Sequence, residues 1–349
     1  MLDFLFGLFS HDIGIDLGTA NTLVYISGKG VAIREPSVIA RHKKTKKILA
    51  IGTEAKKMRG KTPSSIEVVR PLRDGVISDF DAALAMLSFF IKKVHENSTK
   101  YIPSIPRPRV AVGIPAGVTE VERRAVQEVA LSAGARVAYL IEEPMAAAIG
   151  AGLSVDTSSG IMMVDIGGGT TEIAVISLGG IVVNKSLRIA GDEMDEAIAS
   201  YVRLKYSMLL GEASSEDVKI NIGNASYTDK DKSAVIRGRD LESGLPKSIK
   251  IISSDIREAL SPVILQIVES IADTIEETPP ELISDILEKG IVLAGGGAQL
   301  PGITNVIAER TKIPVWVAPD PMTCVARGCG KVLEDKRLLE KVKVTGGLR

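Results

Sequence analysis

Two stretches of this chain align on each other without a gap. One reads Met163-Val164-Asp165-Ile166-Gly167-Gly168-Gly169-Thr170-Thr171-Glu172, the other Gly14-Ile15-Asp16-Leu17-Gly18-Thr19-Ala20-Asn21-Thr22-Leu23. The offset that carries Asp16 onto Asp165 also carries Gly18 onto Gly167, Asn21 onto Thr170 and Thr22 onto Thr171. In each copy an apolar run delivers one carboxylate, a glycine- and threonine-rich turn follows, and a second β-prone run leads away. Each reads as a hairpin whose turn binds something. Consecutive glycines permit positive φ and a close ligand approach, and successive backbone NH groups form a concave anion site. A plain tight turn explains one copy equally well. Two copies at matched spacing point instead to two similar halves, each presenting a phosphate-gripping turn to a shared cleft.

The bulk properties fit this division. At 349 residues the chain exceeds one core of ordinary size, and its 45% hydrophobic and 25% charged content is globular. Lys+Arg and Asp+Glu balance at 43 each, which removes a general electrostatic case for nucleic acid as partner. Two cysteines make no disulfide framework and three scattered histidines make no metal cluster, so a reducing cytoplasm is the expected setting. No apolar run approaches the ~18 residues of a membrane-spanning helix.

Residues 28–75 read as turns and short strands (31–34, 37–41, 48–51, 66–69), an insertion on the first half, with the basic run 42–47 as a solvated tip. Asp79 or Ser78 caps a helix over 80–95, on which Leu84, Leu87, Phe90, Ile91 and Val94 keep a helical period. A strand at 110–114 precedes the capping box Thr119-Glu120-Val121-Glu122 and a helix to Ser132. The next strand, 137–141, runs into Glu142-Glu143-Pro144, two carboxylates at a helix start where Pro144 suits the first turn. The helix dipole alone favours acids there, so a structural role is the competing reading.

Beyond the second hairpin, Gly191 starts a helix to about Leu210, a further helical piece surrounds Glu216, and strands return at 237–241 and 248–252. Residues 185–245 are thus the insertion on the second half. A helix over 254–276 and another behind the capping box Thr278-Pro279-Pro280-Glu281 lead into Leu293-Ala294-Gly295-Gly296-Gly297-Ala298-Gln299. This third glycine turn suits the approach of a planar base or sugar to the backbone. A strand at 315–317 and a helix over 324–333, on which Cys324 and Cys329 face apart, precede a charged tail expected to fray.

Matched hairpins with strand-end carboxylates, a Glu-Glu-Pro helix start and a third glycine turn resemble the actin-like ATPase superfamily, which includes sugar kinases and chaperone ATPase domains. Residues 15–22, 141–148, 164–172, 190–196 and 293–297 are most similar to the MreB family of bacterial actin homologues, with the likeness running from about residue 12 to 333. The resemblance implies an α/β, actin-like ATPase fold: two similar halves, each a mixed sheet flanked by helices with a small inserted subdomain, and ATP in the cleft between them. The large subdomains would be 11–33 with 76–145 and 320–349, and 146–184 with 246–319. The small ones would be 34–75 and 185–245.

Also implied is a set of site residues. Thr19, Ala20 and Asn21 would hold phosphate from the first half, and Gly168, Gly169 and Thr170 from the second. Glu216, Asp217, Val218 and Lys219 would surround the adenosine with Gly296, Gly297, Ala298 and Gln299. Asp16 and Asp165 suit a hydrated Mg²⁺, which keeps several waters and needs one or two carboxylates plus phosphate oxygens. Glu143 would orient the attacking water with help from Thr170, and Glu142 is the less committed neighbour. The implied function is that of a membrane-associated filament protein, pairing with itself in double filaments. It couples ATP hydrolysis to polymerisation, organises lateral cell-wall synthesis and maintains bacterial rod shape. Membrane proteins of the elongation machinery such as RodZ and MreC are the partners the family suggests. A small-molecule or sugar kinase of the same superfold is the alternative, but no separate carboxylate motif supplies its general base. A chaperone-like ATPase is a further alternative, and little chain remains for a peptide-binding domain.

The amino terminus carries three of the six phenylalanines and lacks the basic start and cleavage site of a signal peptide. At about 100° per residue, Leu2, Phe4, Leu5, Phe6, Leu8 and Phe9 fill one broad arc of a helix, and Asp3, Gly7 and Ser10 share the rest. That is the pattern of a short interfacial helix, ordered by a membrane or by docking on the core. The proline-rich loop 97–108 offers Ile102 and Ile105 as a second apolar contact with a membrane or partner, or as cover for a neighbouring helix. By resemblance the membrane is the inner face of the cytoplasmic membrane. One short anchor binds weakly, and many along a filament add by avidity. Removing residues 1–9 is therefore expected to release polymer from liposomes while ATP-dependent assembly continues. Unchanged co-sedimentation with vesicles would refute the anchor.

Overall fold

The computed structural model describes residues 10–95, 107–227 and 230–344. The membrane contacts expected of Leu2, Phe4, Leu5, Phe6, Leu8 and Phe9, and of Ile102 and Ile105, lie outside the described residues. The first hairpin forms as read, with β1 (Ile13–Leu17) and β2 (Asn21–Ile26) antiparallel, and β3 (Gly30–Pro36) extends it. A small sheet follows, made of β4 (Ile39–His42), β5 (Ile48–Ile51) and β6 (Ile66–Val69), then a two-stranded ribbon of β7 (Leu72–Arg73) and β8 (Val76–Ile77). The chain then returns through β9 (Arg109–Ile114) and β10 (Val137–Glu142), both parallel to β1, and closes a sheet of order β10-β9-β1-β2-β3.

The second half repeats the five-stranded sheet strand for strand. β11 (Ile161–Ile166), β12 (Thr171–Ser177) and β13 (Gly180–Leu187) form the antiparallel part. β14 (Met208–Leu209), β15 (Ser233–Asp240) and β16 (Pro246–Ile252) make the inserted small sheet. β17 (Ile291–Ala294) and β18 (Val315–Val317) then add in parallel, giving β18-β17-β11-β12-β13. Register is shared as well: Asp16 faces Leu23 across the first hairpin, and Asp165 faces Glu172 across the second. Each half has its own apolar cluster, one around Ile15, Leu87 and Val112, the other around Val164, Ile198 and Ile267.

A third cluster joins them. The helix Glu143–Ala151 lies against β11 and β12, the helix Cys324–Glu334 against β1 and β9, and the two helices pack on each other between the sheets. Their approach is backbone to backbone. A Cβ on Gly150 would stand 1.8 Å from the Cys324 carbonyl oxygen, and one on Gly328 1.8 Å from that of Ala146. Gly14 plays the same part between β1 and the Cys324 helix, since a Cβ there would stand 2.2 Å from the Gly330 nitrogen.

Three local expectations are corrected. Over its described residues the charged tail does not fray: the Asp335 carboxylate accepts from the Arg337 and Leu338 nitrogens and caps a helix, Lys336–Val342, that buries Leu339 and Val342. The helix from Gly191 stops at Tyr206, because Ser207 turns left-handed at φ 48° and releases Met208 and Leu209 to pair with β15. Thr278 caps nothing; its hydroxyl donates back to the Thr274 carbonyl, and the helix Pro280–Lys289 starts without a side-chain cap.

Gly328→Ala must push the two central helices apart. It is expected to cost about 2–3 kcal/mol. Gly180→Ala, at an open position without left-handed φ, is expected to stay within ~0.5 kcal/mol. Denaturant midpoints of the two variants check this.

Candidate functional site

The two hairpin turns meet. A Cβ on Gly168 would stand 2.5 Å from Ala20 Cβ, and one on Gly169 2.9 Å from Thr19 Oγ1. This corrects the reason for the glycine run, because Gly167, Gly168 and Gly169 do not adopt positive φ. Gly168 and Gly169 are small so that the opposing turn can touch them, whereas a Cβ on Gly167 would meet only the Thr170 carbonyl of its own turn, at 3.0 Å. In the third turn Gly295 does take the left-handed conformation, at φ 82°, and a side chain there would strike Asp165. Thr19 is held from its own half, its Oγ1 accepting from the Gly75 nitrogen at 3.0 Å.

A cleft of about 450 Å³ opens along the line where these turns meet. It is lined by Thr19, Ala20 and Asn21 from one side, by Gly168, Gly169 and Thr170 from the other, and by Asp16, Asp165 and Glu143 at its floor. Glu216 and Lys219 stand further out, facing Gly296, Gly297 and Gln299, with Ile220, Leu300 and Met322 adding apolar wall. Asp217, Val218 and Ala298 do not line it. On the helix Glu212–Ile222, positions 216, 219 and 220 share one face, which leaves Asp217 exposed and turns Val218 into the core. Ala298 is likewise a core residue, although its neighbours Gly297 and Gln299 reach the cleft.

The floor is strongly acidic. Burial, and then the nearby Asp165, push the Asp16 carboxyl up to about 8, and burial pushes Asp165 up to about 7. Glu143, at the first position of its helix ahead of Pro144, is raised well above the ordinary carboxylate range, by burial first and then by Glu172, Asp16 and Asp165. Glu172 rises to about 7 by burial, against the pull of hydrogen bonds from Ser186 and Ala116. Glu142 also rises by burial, eased by Arg123, but lies outside the cleft. Buried carboxylates so placed suit a cation. Among the described residues no group of three or more His, Cys, Asp or Glu forms a metal-holding cluster. The donor set therefore fits a hydrated ion that takes its remaining ligands from phosphate and water.

At the outer edge, Lys219 Nζ donates to the Gly191 carbonyl at 2.6 Å and pairs with Asp195 at 2.9 Å. Burial outweighs that lysine and lifts Asp195 to about 6. The mouth itself is bridged by ion pairs that sequence reading missed. Lys56 meets Glu216 at 2.7 Å, Arg59 meets Glu212 at 2.8 Å, and Arg70 meets Asp192 at 2.6 Å and Glu212 at 3.1 Å. The bonded partners are 122 to 160 residues apart for Arg70–Asp192, Arg70–Glu212 and Lys56–Glu216, so no local pattern marks them.

The sequence profile of the MreB/Mbl protein family matches residues 10–341. The chain belongs to the MreB/Mbl family. It is 52% identical to the cell shape-determining protein MreB of Escherichia coli K12 over 332 residues, 94% of each chain. Its fold is actin-like: the crystal structure of Spiroplasma citri MreB5 bound to ADP matches with a TM-score of 0.88 and 39% identity, covering 95% of this chain and 98% of that one. The same MreB5 bound to AMPPNP matches with a TM-score of 0.86 at the same identity and coverage.

In this MreB/Mbl chain Glu212 accepts from two arginines across the mouth, and the partners are 20% to 50% exposed. Pairs of that kind are each worth at most about 1 kcal/mol and are screened by salt. Glu212→Gln, or a rise in salt from about 0.05 to 0.5 M for the parent, is expected to open the cleft and increase the radius of gyration in X-ray scattering. Curves that superimpose would show that these pairs do not hold the mouth.

Proposed function

We propose that this chain is an ATP-dependent, actin-like filament protein of the inner face of the cytoplasmic membrane, where it organises lateral cell-wall synthesis and maintains rod shape. The observation that carries the reading is the meeting of two duplicated turns, one from each half, over an acidic cleft floor. Family membership, the cell-shape names of its relatives, and the ADP- and AMPPNP-bound state of MreB5 support it.

Backbone NH groups of Thr19 to Asn21 and of Gly168 to Thr170 hold the phosphates from opposite sides. Glu216, Lys219 and the turn Gly296 to Gln299 hold the adenosine. Asp16 and Asp165 hold Mg²⁺ through water, and the ion when bound offsets negative charge on the phosphates. Glu143 and Thr170 orient the attacking water. Residues 34–75 and the second insertion, which begins after β13 and runs through β16 to Ile252 rather than spanning the expected 185–245, act as the small subdomains, and their closure over ATP favours addition of the next subunit. Hydrolysis then weakens the filament.

Membrane attachment has its own support. The Arg107 nitrogen donates to Ser10 Oγ at 3.0 Å, and the His11 nitrogen donates to His95 Nε2 at 3.2 Å, their rings stacked 6.0 Å apart. Residues 1–9 and 96–106 therefore leave the described fold at one patch, so two apolar segments serve one membrane face. Membrane proteins of the elongation machinery, RodZ and MreC among them, act as partners there.

Electron microscopy of the purified protein with Mg-ATP on a lipid layer tests the reading. Paired filaments are expected on the lipid, and dispersed monomers would overturn it. With Glu143→Ala, filaments are expected to persist while phosphate release slows by about 100-fold and ATP affinity changes little. Turnover at the parent rate would remove Glu143 from its role.

A further inference from the structure

The duplicated hairpins differ at one telling position. Leu23 and Glu172 occupy equivalent places in register, opposite Asp16 and Asp165 respectively. Leu23 is a leucine at 3% exposure on the wall of the cleft, whereas Glu172 is a carboxylate at 1%. Burying a carboxylate where the fold accepts leucine is unfavourable unless specific partners compensate it. Glu172 has them. One oxygen accepts from Ser186 Oγ at 2.6 Å, and the other accepts from the Ala116 nitrogen at 3.1 Å.

The second bond crosses between the halves. Ala116 lies in the turn that follows β9, whose last residue, Ile114, pairs with Glu142. A Cβ on Gly113, in the same strand, would stand 3.4 Å from Glu143 Cγ. In the same turn, Pro115 and the Thr170 methyl press on one point, 2.6 and 3.1 Å from where a Gly75 Cβ would be. Glu172 is thus hydrogen-bonded from the hairpin that carries Thr170 to the strand end that borders Glu143.

We infer that Glu172 is a positioning residue that fixes Glu143 relative to Thr170 across the boundary between the halves. The inference rests on the hydrolytic role proposed for those two groups. Two side chains from different halves must address one water, and a displacement of about 1 Å in such a pair costs on the order of 100-fold in rate. A bond that bridges the halves two residues from Thr170 limits that displacement.

The test is steady-state phosphate release from Mg-ATP by the full chain, with thermal unfolding recorded for each variant. Glu172→Ala is expected to lower kcat by about 30-fold or more with KM within about 3-fold of the parent. Glu172→Gln is expected to recover most of that loss, because the amide oxygen accepts from Ala116 and its NH₂ donates to Ser186 Oγ. In a Glu143→Ala background, Glu172→Ala should add no further loss, since it acts through Glu143. A parent protein that does not turn over ATP would overturn the hydrolytic reading itself. With an active parent, the positioning role is overturned by an unchanged kcat in Glu172→Ala, by Gln as slow as Ala, or by a full extra loss in the double variant. Should Glu172→Ala not fold, Ser186→Ala removes one of the two bonds. A partial fall in kcat at constant KM supports the role, and an unchanged kcat overturns it.

Discussion

The contact on which the rest of this structure depends is the crossing of two helices at Gly150 and Gly328. Each glycine presses on a carbonyl of the opposite helix so closely that a single methyl has no room. One helix belongs to the packing of β11 and β12, the other to that of β1 and β9, so their separation sets the separation of the two sheets. The Glu143 helix also begins at the cleft floor. The spacing that packs the core therefore also fixes where that carboxylate stands relative to both hairpin turns.

Duplication supplied two jaws, and divergence made them unequal. In the two five-stranded sheets, strand order, strand direction and hairpin register are the same. The first turn uses Thr19 and Ala20, the second Gly168 and Gly169, and the small side chains of one fit the missing side chains of the other. Two identical glycine turns would leave a gap at that contact, and two threonine turns would collide. Leucine against glutamate at the matched core position follows the same logic, one half keeping an apolar support and the other placing a hydrogen-bonding link.

Sequence reading recovered what is local or repeated. The hairpins, the Thr119 capping box and the Phe80–His95 helix each carry their cause within a few residues, and all appear. Residues facing the cleft were legible only to the element, since Glu216 and Lys219 reach it while Asp217 and Val218 on the same turn do not. Positive φ was the wrong reason for the triple glycine, because nothing in a sequence states which backbone will lie against it. The tail helix was hidden by its charges, with Leu339 and Val342 too few to form a periodic pattern. The mouth ion pairs and the Glu172–Ala116 bond join residues far apart in the chain, and only the fold brings them together.

Charge gives the cleft a reason to respond to its ligand. Asp16 and Asp165 come from different halves and are both buried at the cleft floor, where burial, and for Asp16 also the nearby Asp165, raises their proton affinity. At the mouth, partly exposed pairs favour closure by about 1 kcal/mol each at most. Moving a two-state equilibrium from 1:99 to 99:1 takes about 5.5 kcal/mol of preference for one state. Those pairs fall short of that figure while the acidic floor works against them. On the proposed function, a polyphosphate held by both turns with a divalent ion would act at both places, since it would contact the two jaws together only when they are closed and would offset the repulsion that opposes closure. The closed state would thus be the one that such a ligand selects, and loss of a phosphate would reduce that preference at the contact between the two turns.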